Sequence, residues 1–268
     1  WLKTPPGAYL LAWEQSHFDE AVSDIFGYHA LQLGLPELDA LQANRMPHKW
    51  LAQTDLPGLA TTLAAQGYPV NGRGADSISS PRAALVADSA ALPFPEASLD
   101  LVILPHTLEL GRDPHSALSE VARVLVPEGR VVISGFNPAS LWGLRQRRAH
   151  LYQRFGYGEP FLPEAGEYIG YWRLRDWLRL LNFEVESAHF GCYRPALASQ
   201  PWLDRFDWMD KAGERWWPIF GAVYFLVAVK RVRGMRLLEP GWKARKAPAP
   251  AAVAVANKEP ASRSTPQR

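Results

Sequence analysis

Apolar and polar positions between residues 84 and 138 follow a regular order of short apolar runs separated by polar loops. The runs cover residues 84–87, 99–104 and 131–133, are rich in Val, Ile and Leu, and do not alternate with polar residues. Runs of this kind are typical of strands buried on both faces of a sheet. The pattern predicts three buried strands, with 101–104 as a central parallel strand between the strands near Ala84 and Val131.

One helix is predicted between the last two runs. Asp113 is a candidate N-cap, and Pro114 suits the first helical position because an N–H there would have no partner. Pro127 and Gly129 are expected to end the helix. Its apolar residues fall on one face at i, i+3, i+4 and i+7: Leu118, Val121, Ala122 and Leu125. A strand, a helix and a strand at this spacing form a βαβ unit, which indicates a parallel α/β sheet.

Weaker patterns complete the predicted sheet. Segments 29–35 and 49–53 are placed as the first and second strands, and 54–80 is expected to hold loop and a short helix. Segment 183–190 alternates at its start, as a strand near a sheet edge should. The apolar run 216–229 is interpreted as a buried strand, with the final strand over 220–230. A second amphipathic helix is marked by Leu174, Trp177, Leu178 and Leu181.

Three regions are expected along the chain. Residues 1–27 form an N-terminal helical lead-in with Trp13, Phe18, Ala21, Val22 and Ile25 on its apolar face. Residues 28–232 form the α/β domain, with insertions at 139–170 and 193–218. Residues 240–268 are dominated by Ala, Pro, Lys, Arg and Ser without apolar periodicity, which predicts a disordered tail.

Composition narrows the functional classes. The 268 residues carry a net charge of +2, too mildly basic to indicate nucleic-acid binding by charge alone. The lone Cys192 excludes an internal disulfide and a Cys-based metal cluster, and favours a reducing, cytoplasmic setting. No positively charged start followed by an apolar run is present, so no secretory signal is predicted. The longest apolar run, 216–229, is shorter than the roughly 20 residues of a membrane span.

Three segments carry a family resemblance: Asp88-Ser-Ala-Ala-Leu-Pro-Phe94, Ser98-Leu-Asp-Leu-Val102 and Glu120-Val-Ala-Arg-Val-Leu-Val-Pro-Glu-Gly129. They resemble the core of class I S-adenosylmethionine-dependent methyltransferases, closest to the ubiquinone-biosynthesis-like branch labelled methyltransferase type 11. The resemblance implies a Rossmann-like seven-stranded sheet, mostly parallel with an antiparallel last strand. It also implies an enzyme that transfers a methyl group and uses S-adenosylmethionine as cofactor.

The resemblance also implies where the cofactor binds. In an open α/β sheet the ligand lies outside the carboxyl ends of the strands, near the point where strand order reverses. Gly34, Asp88, Ser89, Leu92 and His106 are the implied cofactor-binding residues, with Asp88 accepting a hydrogen bond from the adenine amino group. Turn capping is the alternative role of Asp88.

Two positions depart from the family pattern. The glycine-rich cofactor loop, Gly-x-Gly-x-Gly in the family, is Gly34-Leu-Pro-Glu-Leu38 here, so one glycine is kept and Pro36 removes an N–H donor. An ordinary turn and a cofactor loop both fit this segment. The family carboxylate at the end of the second strand is replaced by Gln53, with Asp55 as the other candidate for binding ribose hydroxyls.

Catalytic candidates are few. His106 follows the fourth strand and is the candidate general base, with pocket lining or helix capping as alternatives. Glu109 has the same alternatives, and Asn137 is either an acceptor-site residue or a turn former. Positioning can supply much of the rate of methyl transfer from an activated sulfonium, so the reaction does not require an evident base. No metal is predicted, because the histidines show no ligand spacing: His17, His48, His115 and His150.

The acceptor is predicted to be a small molecule, with RNA as the runner-up. Arginines cluster with aromatic residues over 142–155, which fits a solvated helix face, a surface for phosphates and bases, or a helix on an anionic membrane. The members are Arg145, Arg147, Arg148 and Arg154 with Trp142, Tyr152 and Phe155. The alternative from a different class is a methyltransferase-like binding protein that has lost the cofactor.

Both insertions are expected to form a lid over the acceptor side. Aromatic residues supply large apolar contact area with few rotatable bonds, which favours a ring-containing or apolar acceptor. The aromatic residues concerned are Trp142, Tyr152, Trp202, Trp208, Trp216 and Trp217.

Overall fold

The three apolar runs are strands of one sheet in the computed structural model, which describes residues 1–53, 85–153, 160–163 and 167–232. The seven strands in chain order are β1 (His29–Leu33), β2 (His48–Gln53), β3 (Leu85–Val86), β4 (Leu99–Pro105), β5 (Leu125–Phe136), β6 (Phe183–Gly191) and β7 (Val223–Lys230). They lie in the order β3-β2-β1-β4-β5-β7-β6. Each pair of adjacent strands in the part β3-β2-β1-β4-β5 of this order is parallel, and β7 is antiparallel to both β5 and β6. The predicted Rossmann-like methyltransferase sheet is confirmed.

Helices flank this sheet. In chain order they are α1 (Pro5–Ser23), α2 (Thr107–Leu110), α3 (Pro114–Val124), α4 (Leu141–Gln153), α5 (Tyr171–Leu180), α6 (Gln200–Arg205) and α7 (Trp208–Trp216), followed by a 3₁₀ turn (Pro218–Phe220). The prediction for α3 is confirmed: the Asp113 carboxylate accepts hydrogen bonds from the backbone N–H groups of His115 and Ser116, at 3.0 and 3.2 Å. Leu125 already belongs to β5, so the helix ends before Pro127.

The expected neighbours of β4 were wrong on one side. β4 pairs with β1 and β5, whereas β3 pairs with β2 at the far edge of the sheet. In a doubly wound sheet the chain builds one half outward from β1 and then crosses to the other side, so strands consecutive in sequence need not be neighbours. β6 lies at the opposite edge, as its alternation predicted.

The apolar run 216–229 is not one buried strand. Its first part forms the end of α7 and the 3₁₀ turn, where Trp216 and Phe220 are exposed. Pro218 begins the 3₁₀ turn, and the strand starts only at Val223. From there β7 is buried on both faces because it lies between β5 and β6.

The two faces of the sheet hold separate apolar clusters. Strand residues such as Val102 and Val131 pack with α3 and α5 on one face. Their chain neighbours, such as Leu101 and Val132, pack with Phe18 of α1 on the other face. This alternation follows from the period of two along a strand. The predicted lead-in is thus a helix that packs on the sheet, whereas the proposed domain boundaries stay a prediction.

Asp100 in the resembling motif has a structural role at the start of β4. Its carboxylate accepts hydrogen bonds from the backbone N–H groups of Tyr28 and His29, at 2.8 and 2.9 Å. Gly27 lies directly beside it, where an added Cβ would be 2.5 Å from the Asp100 Cβ. These contacts fix β1 against β4 and so align the carboxyl ends of the two strands.

Several expectations lie outside the described residues. They concern the loop and helix over 54–80, Asp55, Ala84, Arg154, Phe155 and the tail 240–268. Within the described part, none of the helices combines the length and the apolarity that crossing a bilayer needs.

Candidate active site

The carboxyl ends of β1 and β4 mark the candidate site. β1 pairs with β2 on one side and with β4 on the other, so the strand order reverses between β1 and β4. Ligands of open α/β sheets bind in the crevice at this point. Gly34 directly follows β1, and His106 and Thr107 directly follow β4.

The turn after β1 brings the backbone close to β4. Gly34 has φ +79°, a left-handed conformation that favours glycine, and an added Cβ would lie 3.3 Å from Thr107 Oγ1. The Thr107 hydroxyl donates a short hydrogen bond to the Leu33 carbonyl. Leu35 also has a positive φ, of 43°. Two left-handed residues in succession therefore turn the chain away from the sheet at this point.

Gln32 holds the rest of this loop. Its buried side-chain amide donates to the carbonyls of Leu35 and Leu38, at 3.1 and 2.7 Å, and its oxygen accepts from the Ala40 N–H at 3.1 Å. Residues 34–47 connect two parallel strands through turns alone. A helix N-terminus, the usual anion-binding element after such a strand, is thus absent from this connection. Gln53 ends β2 as predicted.

Asp88 lies at the carboxyl end of β3, on the same edge of the sheet. It is exposed, and its Oδ1 accepts a hydrogen bond from the Ala90 N–H at 3.0 Å, which is the turn-capping geometry. Ser89 is buried, and its Oγ lies 3.6 Å from the position of a Cβ added to Gly111. Leu92 is a buried core residue. The cofactor roles of these residues stay predictions.

Glu120 and Arg123 of α3 clamp the Leu-Pro-Phe segment. Glu120 Oε1 accepts from the Leu92 N–H at 2.9 Å, and Arg123 donates to the carbonyls of Leu92 and Phe94 at 3.2 and 2.8 Å. The two side chains also pair with each other at 2.6 Å. The first and third segments of the resembling motif are therefore joined in space, and the clamp fixes the turn that carries Asp88.

His106 is buried between two carboxylates. Its Nδ1 lies 2.9 Å from Glu109 Oε2, and its Nε2 lies 2.9 Å from Glu14 Oε1 of α1. The His106 backbone is left-handed, with φ 53°, and its ring packs on Phe136 at 4.4 Å between centroids. Glu109 Oε1 in turn accepts a short hydrogen bond from the Phe136 N–H. We call this group the Glu14–His106–Glu109 triad.

The triad holds a proton on His106. Burial lowers the pKa of the imidazole, but the nearby charge of Glu14 and the hydrogen bond that the ring donates to Glu109 outweigh it and raise the pKa to about 10. Burial raises the pKa of Glu109 above its ordinary value. An imidazolium at neutral pH has no free lone pair to accept a proton, so this geometry favours a positioning role over a general base.

Tyr224 brings a further polar group to the same edge. A Cβ on Gly135 would lie 2.5 Å from the Tyr224 hydroxyl oxygen and 2.9 Å from Glu109 Oε1, so both atoms border the backbone of Gly135. Among the described residues the Tyr224 hydroxyl has no hydrogen-bond partner, and burial raises its pKa well above the ordinary value. Only glycine fits between these two groups.

Asn137 forms a turn rather than an open acceptor contact. Its Nδ2 donates to the carbonyls of Ile219 and Gly221, at 2.7 and 3.0 Å, and its Oδ1 accepts from the Ala139 N–H at 3.1 Å. Of the six aromatic residues expected in a lid, Trp142 is buried. The other five have about half or more of their surface exposed: Tyr152, Trp202, Trp208, Trp216 and Trp217.

Other candidate sites in the described part of the chain are weak. No group of three or more His, Cys, Asp or Glu side chains there could hold a metal ion. Two open grooves lie away from the switch point, one between α1 and the β6–β7 pair and the other beside Arg179 and Arg231. Neither includes Gly34, Asp88 or His106.

Sequence reasoning missed Glu14, Thr107 and the Glu120–Arg123 pair. The sequence did contain a signal for Glu14, because it shares a four-residue spacing with the apolar Leu10, Phe18 and Val22. All four residues are buried on one face of α1. A carboxylate in the middle of an apolar helix face predicts a buried partner. Nothing in the sequence shows which partner it has.

A comparison with protein families supports the motif assignment. Residues 65–133 match a methyltransferase domain family. The matched segment includes β3, β4, α3 and most of β5, but it begins after Gly34. The family match therefore covers the resembling motif and leaves the turn after β1 outside it.

Similar proteins are found both by sequence and by structure. An uncharacterized protein of Escherichia coli strain K12, YafS, is 33% identical over 165 residues, which cover 61% of this chain and 56% of that protein. The chain thus matches only about half the length of this relative. A chain from the complex of the Trm112 methyltransferase activator of Haloferax volcanii superposes with TM-score 0.53 at 17% identity, covering 86% of this chain and 94% of that chain.

A S-adenosylmethionine-dependent methyltransferase of Thermotoga maritima superposes with TM-score 0.51 at 14% identity, covering 83% of this chain and 92% of its own. Sequence identities this low establish a shared fold and no shared substrate. The fold of the chain is that of class I methyltransferases, and residues 65–133 match a methyltransferase domain family.

Proposed function

We propose that the chain is an S-adenosylmethionine-dependent methyltransferase that acts on a small-molecule acceptor. The observation that carries the proposal is the joint placement of Gly34, Asp88 and His106. They follow β1, β3 and β4 at one edge of a methyltransferase-type sheet. The domain match over residues 65–133 adds an independent reason.

Several residues of this edge fit the cofactor. The left-handed Gly34 leaves backbone without a side chain beside Thr107. The Asp88 carboxylate is exposed at the end of β3 and can accept a hydrogen bond from an adenine amino group while its Oδ1 caps the turn. Gly34, Asp88, Ser89 and Leu92 are the residues that we assign to holding the cofactor.

The Glu14–His106–Glu109 triad suits a cationic donor. The triad places two buried carboxylates beside one imidazole at this edge, and electrostatic interactions are strong in a buried setting. S-adenosylmethionine supplies a methyl group on a positively charged sulfonium. We infer that the two carboxylates favour positive charge near this edge, and that His106 holds Glu109 where it accepts from the Phe136 N–H. We therefore assign His106 to positioning.

The acceptor side is assigned to the edge formed by β5 and the insertions. Tyr168 packs edge-on against Phe136 at 5.8 Å between centroids, next to the triad. Aromatic side chains in this position favour a ring-containing or apolar acceptor. RNA is the alternative acceptor, because Arg147 and Arg148 are exposed on α4.

A cofactor-free binding protein is the second candidate. It is favoured by the connection 34–47, which has turns in place of a helix, and by Pro36, which has no N–H to donate. Such a protein would keep the sheet and lose the ligand at the switch point.

Isothermal titration calorimetry with S-adenosylmethionine and S-adenosylhomocysteine separates the two candidates. The proposed enzyme binds both, and the Gly34→Val variant loses binding because its side chain would enter the space beside Thr107. Asp176→Ala, an exposed carboxylate on α5, is the matched control and keeps the affinity. An absence of heat and of a thermal shift at millimolar ligand would favour the binding protein.

A further inference from the structure

The outward side of α4 is apolar where a solvated helix would be charged. Leu141, Leu144, Leu151 and Tyr152 are 50%, 54%, 53% and 48% exposed. Four large apolar side chains in a helix of 13 residues are thus half in solvent. Single exposed apolar residues are ordinary, but neighbouring ones on one helix face indicate an interaction surface.

These side chains share one side of the helix. Leu144 and Leu151 are seven residues apart, as are Leu141 and Arg148, so each pair lies on one line along a helix with 3.6 residues per turn. Trp142, Gln146 and Ala149 point the other way and are buried in the protein. We call Leu141, Leu144, Leu151 and Tyr152, together with Arg147 and Arg148, the α4 outer face.

The charge of the α4 outer face has one sign. Arg147 and Arg148 are exposed, and α4 contains no Asp or Glu. Arg148 lies over the Tyr152 ring at 6.0 Å, so one arginine lies among the apolar side chains. Leucines that supply apolar area and arginines that can reach lipid phosphates thus lie on the same face, a combination that suits the headgroup region of an anionic bilayer.

A second apolar group lies next to the start of α4. The Asn137 amide donates to the Ile219 carbonyl at 2.7 Å, which joins the chain before α4 to the 3₁₀ turn. Trp216, Ile219 and Phe220 of this region are 71%, 46% and 55% exposed. Trp side chains favour the headgroup region of a membrane because their rings are amphipathic, and exposed Phe and Ile add apolar area that can insert there.

We propose that the α4 outer face is a docking site for an anionic lipid bilayer. The leucines insert at the level of the headgroups, and Arg147 and Arg148 pair with lipid phosphates. RNA is a poorer match, because bases stack on aromatic rings and the centre of this face is leucine. α4 follows the carboxyl end of β5, so docking places the edge that carries His106 near the bilayer. If the proposed methyl transfer is correct, this placement favours an acceptor that is dissolved in the lipid.

Vesicle flotation of the full chain tests the proposal without cofactor or acceptor, so its result is independent of the proposed reaction. We expect flotation with vesicles of equal parts phosphatidylcholine and phosphatidylglycerol, and much weaker flotation with phosphatidylcholine alone. The double variant Leu144→Ser/Leu151→Ser should reduce partitioning about tenfold. Arg147→Gln/Arg148→Gln should reduce it about 30-fold, since each arginine contributes about 1 kcal/mol near an anionic surface.

Leu180→Ser is the matched control, because Leu180 is 80% exposed on α5. It should float like the unchanged protein, and all variants should keep the circular dichroism spectrum and melting temperature. Absence of flotation with anionic vesicles, or an equal loss in Leu180→Ser, would overturn the proposal. So would salt-sensitive retention of single-stranded RNA that only the arginine variant loses. A dimer in light scattering that only the leucine variant dissociates would overturn it in favour of a second copy of the chain.

Discussion

At the residue scale, Asp88 combines a turn cap with the position proposed for adenine recognition. Asp88→Ala should weaken S-adenosylhomocysteine binding by roughly 1–3 kcal/mol, or about 5- to 150-fold, because a polar partner loses its hydrogen bond. Asp88→Asn keeps an oxygen that can accept from the Ala90 N–H, so the turn cap is retained, but its amide nitrogen is a donor where the adenine amino group needs an acceptor. It should therefore lose about as much affinity as Asp88→Ala, and calorimetry gives both affinities. No loss in either variant, or a loss in Asp88→Ala that Asp88→Asn does not share, would contradict the adenine role.

Asp113 and Asn137, whose roles depend on neighbouring residues, were predicted from the sequence, whereas Glu14, whose partner is distant, was not. Asp113 caps α3 because an N-cap is set by the residues directly after it. Asn137 formed the turn that was one of its two expected roles. Glu14 was missed because its partner His106 lies far along the chain, and only the folded sheet brings them to 2.9 Å.

At the element scale, the clamp of Glu120 and Arg123 joins α3 to the turn after β3. Arg123→Ala removes hydrogen bonds to the Leu92 and Phe94 carbonyls and leaves Glu120 without its cation. We expect a lower free energy of unfolding than in the unchanged protein, since hydrogen bonds to charged groups contribute more than neutral ones. Urea denaturation of the variant measures it.

Arg173→Ala is the control for this clamp, because Arg173 pairs with Glu167 at an exposed site of α5 and should change stability by less than about 1 kcal/mol. Similar losses in both variants would contradict the clamp.

The βαβ unit around α3 was predictable from the sequence because the helical period and the N-cap depend on neighbouring residues. The position of β3 beside β2 was not predictable, because apolar runs indicate that strands are buried but do not indicate which strands pair.

At the scale of the whole molecule, the Glu14–His106–Glu109 triad ties the N-terminal helix to the centre of the sheet. Glu14 comes from α1, and His106 and Glu109 follow β4. His106→Asn leaves two buried carboxylates without their cation, which should cost about 3–5 kcal/mol near neutral pH. Thermal unfolding followed by circular dichroism measures this loss, and His115→Asn on the exposed start of α3 is the control.

The same triad predicts how stability depends on pH. The pKa of His106 is raised from an ordinary value near 6.5 to about 10 in the folded chain, so the folded state holds a proton that the unfolded state releases. The stabilisation is complete below the unfolded pKa and is lost as pH rises toward 10. Glu109 acts in the same direction, because burial raises its pKa and the folded state binds its proton more tightly. We therefore expect the melting temperature to fall between pH 6.5 and pH 10, and this slope to be much smaller in His106→Asn than in His115→Asn. Equal slopes in the two variants would show that the imidazolium is not the group responsible.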